Sequence, residues 1–114
     1  METSTSLVPV IANAAVAVSA NISNLVTKAK ASGVIQRGQL ELLKEQTAKV
    51  LADARAYNAG DIVITNLEQL ARTQHQIDSW EKAGRLHGSS LSMAMDQLTD
   101  LNDILRRNLR RYES

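Results

Sequence analysis

Few residues in this chain are of a type suited to chemistry: two histidines, two pairs of carboxylates and one cluster of arginines. A carboxylate metal site in a helical bundle requires Glu-x-x-His. Arg72 and Gly84 stand three positions before His75 and His87, so neither histidine belongs to such a site. Nor are the histidines four residues apart, which excludes a zincin-type pair. Some helical nucleases place an arginine several residues before a histidine. The intervals Arg72–His75 and Arg85–His87 are too short for that pattern, and no second group is placed to orient either imidazole as a base. His75 falls on the polar side of its segment and reads as a surface residue.

Glu41 with Glu45, and Asp96 with Asp100, repeat at one helical turn. A catalytic carboxylate needs desolvation to raise its pKa. Each pair sits on the charged side of its helix, which predicts solvation and salt-bridge support instead. Cysteine is absent, which removes disulfides, thiolate ligands and thiol nucleophiles. No GxGxxG, GxxxxGK or GxSxG occurs. The expectation is a protein that is not an enzyme and needs no cofactor and no metal.

The sharpest charged feature is Arg106, Arg107, Arg110 and Arg111. Guanidinium groups grip phosphate through paired hydrogen bonds, so these four are candidates for phosphate contact. Asp103 precedes Arg106 by three and Arg107 by four residues, which predicts ion pairing on one helix face. Arg110 and Arg111 have no acid one turn earlier. Against a nucleic-acid surface stand a net charge of +1 and only three aromatic residues, Tyr57, Trp80 and Tyr112.

The elements that position these residues are punctuated by glycine. Gly33, Gly60 and Gly88 are spaced by about 27 residues, and glycine just past a periodic segment is the usual helix stop. The single proline is Pro9, so nothing beyond it breaks a helix by losing an amide. Four segments result. The first runs from about Ser6 to Ser32, with Ser6 as cap and Pro9 in the first turn. The second, from about Val34 to Ala59, carries a seam of Leu40, Leu43, Thr47, Val50, Ala54 and Tyr57. Glu45 and Lys49 stand on it in the favourable i, i+4 order.

The third runs from about Asp61 to His87, with Leu67, Leu70, Gln74 and Ile77 as its stripe and Trp80 at the edge. Thr65 and Glu68 match a capping box, or else Asp61 caps a longer helix. The fourth, from about Ser90 to Tyr112, has the strongest stripe: Leu91, Met95, Leu98, Leu101, Leu105, Leu109 and Tyr112. Its acids precede its arginines, which suits the helix dipole. The predicted fold is all-α: one domain over residues 1–114, a four-helix antiparallel bundle with turns near Gly33, Gly60 and Gly88.

Segment one is unlike the others. No charged residue occurs from Thr3 to Thr27. That length suits a membrane span, but Asn13, Ser19, Asn21, Ser23 and Asn24 interrupt it. Glu2 is the only early charge, where a secretory signal would carry a basic start. The expectation is a buried helix of a cytoplasmic protein, with signal-independent export left open and no membrane partner. Its apolar surface exceeds one stripe, and surplus apolar surface marks association. The sequence therefore predicts a structural or interaction protein, an assembly subunit or adaptor. It would self-associate or dock a protein partner through Ile11, Ala15, Val18, Ile22 and Leu25, flanked by Val8 and Val26. The alternative is a nucleic-acid-binding accessory protein using the arginine cluster.

Overall fold

Left-handed backbone positions set the turns. A computed structural model describes residues 2–113, with side chains for residues 9–110. It contains four helices: α1 (Glu2–Ser32), α2 (Arg37–Ala56), α3 (Asp61–Lys82) and α4 (Ser89–Glu113). Two stops lie earlier than the glycine spacing predicts. α2 ends where Asn58 adopts φ 55° and the Ala59 amide reaches back to the Ala54 carbonyl at 2.9 Å. α3 ends before Gly84, at φ 70°, where the Arg85 amide donates to the Trp80 carbonyl at 2.9 Å. Both are left-handed helix stops of the kind asparagine and glycine tolerate. The third segment thus ends at Lys82 rather than His87, which lies in the connection to α4.

One helix starts earlier than expected, and one expected cap does not form. α1 begins at Glu2, so Pro9 sits inside the helix rather than in its first turn. α3 begins at Asp61 with Gly60 before it. Thr65 and Glu68 are therefore interior, and no capping box forms. Glu68 instead bonds Arg55 at 2.7 Å.

The helices close a ring. α1 packs on α2, α2 on α3, α3 on α4, and α4 returns to α1, while among the described residues the backbones of the diagonal pairs stay apart. The whole measures 50 × 23 × 20 Å. Its core is aliphatic, as the scarcity of aromatics requires: Ile22, Leu25, Leu40, Leu43, Leu67, Leu70, Ile77, Met95, Leu98 and Leu105 are fully buried. Each such side chain contributes about 1.5–3 kcal/mol relative to exposure.

Polar pairs join all four seams. Asn21 Nδ2 donates to Gln46 Oε1 between α1 and α2 at 2.6 Å. Gln74 Nε2 donates to Thr47 Oγ1 between α2 and α3 at 2.9 Å. Asn108 Nδ2 donates to Asn66 Oδ1 between α3 and α4 at 3.3 Å. Asn102 Nδ2 donates to the Ser19 carbonyl and to Ser23 Oγ, each at 3.2 Å, between α4 and α1. A sliding helix would strand these amides, at about 1–3 kcal/mol for each buried one, so they hold the register that leucine alone would leave loose. Within α1, Pro9–Ser32 is apolar enough and long enough to cross a membrane by composition, with mean hydropathy 1.4. In the bundle two of its sides are covered by α4 and α2.

Candidate functional site

The charges are distributed very unequally between the two long seams. Along α2 and α3 they close the seam from end to end. Arg37 pairs with Glu81 at 2.8 Å, Lys44 with Asp78 at 2.8 Å, and Arg55 with Glu68 at 2.7 Å. Asp78 is buried, and its Oδ2 also accepts from Lys82 at 3.1 Å. The hydrogen bond from Lys44 holds the Asp78 carboxyl below the usual carboxylate range. Burial opposes this, and Lys82 reinforces it. The same bond raises Lys44.

Along α1 and α4, among the described residues, a single ion pair, Lys30–Asp96 at 2.9 Å, sits at one end. Arg106, Arg107 and Arg110 are exposed and, among the described residues, take part in no ion pair. The expected pairing of Asp103 with Arg106 and Arg107 does not form, and neither does Glu45–Lys49. Arg106 instead donates to Ser23 Oγ at 3.3 Å, across to α1. Arg111 lies outside the described side chains.

Val16, Ser19 and Ala20 of α1, with Arg106, Leu109 and Arg110 of α4, line a groove of about 300 Å³. The Ser19 hydroxyl is buried there without a hydrogen-bond partner. Continuous with the groove, the outward side of α1 presents Pro9, Val10, Asn13, Val16, Ala17, Ala20, Asn24 and Thr27, all exposed and none charged. Val10 is 66% and Val16 46% exposed.

The five residues expected to make a docking contact are not on this face. Ile11, Ala15, Val18, Ile22 and Leu25 are 0–6% exposed and form part of the bundle's own core. This corrects their assignment as docking contacts. They form the inward stripe that α2 and α4 cover, and the broad apolar surface of segment one consists of that stripe plus a weaker outward one. Val26 is buried beside them, and Val8 lies outside the described side chains. The outward stripe was readable: Pro9, Val16, Ala20 and Thr27 recur at steps of seven and four, half a turn away from Ile11, Val18, Ile22 and Leu25.

Two further apolar features lie on the α3/α4 seam. Trp80, Leu86, Met93 and Ala94 line a pocket of about 320 Å³ between α3 and α4, and Ile62 and Ile104 flank a shallow hollow on the same seam. His75 and His87 are exposed and stand in no cluster. Among the described residues, no group of histidine and carboxylate side chains could hold a metal ion. Comparison with protein-family models, with curated proteins and with solved structures finds no match.

Proposed function

We propose that this is a non-catalytic interaction protein that docks a protein partner through the outward face of α1. The observation that carries the reading is the face itself: from Pro9 to Thr27 it bears no charge, with Val10 and Val16 exposed. The outward side of α2, by contrast, carries Glu45 and Lys49. Uncharged, small side chains allow another helix to approach closely without desolvating an ion. Photo-crosslinking tests this. A photo-reactive residue at Ala20 should give a discrete protein adduct in cells, and one at Ala48 on α2 should not. The Ala20 adduct should vanish when Ala17→Asp is added and the fold is kept. An adduct equally strong from both positions, or none from Ala20, overturns the reading.

A second reading is favoured by the unpaired state of Arg106, Arg107 and Arg110: contact with nucleic-acid phosphate. Binding to an RNA or DNA fragment would then weaken steeply as salt rises. No binding at low salt removes it.

A further inference from the structure

The charge order along α4 indicates which partner the face takes. Asp96, Asp100, Asp103, Arg107 and Arg110 recur at steps of four and three, forming one exposed stripe that is acidic in its first half and basic in its second. Arg106 stands beside it and leans over the α1 groove. Such a stripe is complementary to itself reversed. Laid antiparallel on a second α4, Asp103 meets Arg107 of the second copy, and Asp100 meets Arg110 of the second copy.

The uncharged face of α1 lies directly alongside, because Val16 and Ala20 share the groove with Arg106 and Arg110. The level of Ala20 therefore matches the middle of the charge stripe. A two-fold axis crossing the helices there satisfies both strips together. α4 packs antiparallel on α4, acid against base, and α1 packs antiparallel on α1. Ala20 then meets its counterpart at the crossing, where small side chains let backbones approach. An axis along the bundle would instead lay the uncharged α1 of each copy over the charges of the other α4 and desolvate them unpaired.

We infer that the docking face is an isologous dimer interface, and that the partner is a second copy of this chain held by the reversed charge stripe of α4. This rests on the docking reading above and makes it specific. Two helices side by side over about 30 Å and about 20 Å wide offer about 600 Å² per copy. That is near the lower limit for a stable complex, so the dimer is expected to dissociate in the micromolar range.

The test uses charge reversal on exposed positions. The wild-type mass is measured by sedimentation from micromolar to submillimolar concentration in low salt. A dimer is expected, weakening as salt rises. The pair Asp100→Arg with Asp103→Arg makes the stripe wholly basic after its first residue. The pair Arg107→Asp with Arg110→Asp makes it acidic but for Arg106. Each variant alone should be monomeric, with dimerisation weakened about tenfold or more. An equal mixture should restore a dimer containing one chain of each. Dimers that persist in both variants, or a mixture that stays monomeric, overturn the inference, with circular dichroism confirming the fold in each case. A wild-type monomer at every concentration overturns it too. The docking reading is judged separately: an Ala20 adduct with a different protein and none with a second copy overturns the dimer and leaves the docking face in place.

Discussion

The α2/α3 seam and the α1/α4 seam both bury aliphatic side chains, yet they treat charge in opposite ways. The first pairs ions at both ends and in its buried middle. The second is joined inside by neutral amide and hydroxyl groups and leaves its arginines facing outward. A seam that satisfies its own charges is a closed unit. A seam that leaves them open, beside an uncharged helix face, retains electrostatic capacity for another molecule.

The contrast makes the stability of the two seams respond differently to substitution. The largest effect is expected at Asp78. Replacing it by alanine leaves Lys44, whose side chain is 17% exposed, without its buried partner. That should cost about 3 kcal/mol, read as a fall of roughly 10–20 °C in thermal midpoint by circular dichroism. A fall of only a degree or two would show that the buried pair adds nothing beyond an exposed one.

The same group sets an acid limit. Because the Asp78 carboxyl is depressed in the fold, its contribution is present above the unfolded value of about 3.9. It is lost as pH falls through the lower folded value. Thermal midpoints of the wild type and of Asp78→Asn should therefore converge below about pH 4 and stay apart above it. A difference that does not change with pH would remove the ionic explanation.

A smaller effect is expected at the buried neutral pair of this seam. Thr47→Val strands the Gln74 amide and should cost about 1–2 kcal/mol. Adding Gln74→Leu should recover most of it, since two matched apolar groups leave nothing unsatisfied. Denaturant titration of the single and double variants checks this, and a double variant worse than the single would contradict it. The smallest effect belongs to the open seam. Arg107→Ala should shift stability by less than about 0.5 kcal/mol, measured in dilute solution. A larger loss would mean that Arg107 has a role within its own chain.

Much of the fold was readable from spacing. The stripes of α2, α3 and α4 reappear as Leu40, Leu43, Thr47, Val50 and Ala54, as Leu67, Leu70, Gln74 and Ile77, and as Leu91, Met95, Leu98, Leu105 and Leu109, all buried. Tyr57 does not follow its stripe inward, because the left-handed Asn58 ends the helix beside it. That stop was missed because asparagine is a weaker signal than glycine. Asp78 was not legible as a buried ion. Its burial depends on Lys44, 34 positions away, and no local pattern encodes that pairing. The candidate site was legible as a helix but not as a side of it. Periodicity shows that a face is apolar, and only the arrangement of neighbours shows which face they cover.

The ring of helices also has a temporal consequence. Three of its seams join helices adjacent along the chain, while the α4/α1 seam joins groups 83 positions apart, such as Asn102 and the Ser19 carbonyl. Loop-closure entropy makes that seam the slowest to nucleate, so the three hairpins are expected to form before the ring shuts. Asn102→Ala, which removes the bonds from α4 to Ser19 and Ser23 of α1, should then leave the refolding limb of a chevron plot nearly unchanged and speed escape from the native state, whereas Leu70→Ala in α3 should slow refolding itself. A chain whose last step is closing α1 onto α4 is also one whose first opening separates them. The open-charged seam would then be the part of the molecule with the shortest lifetime in its closed form.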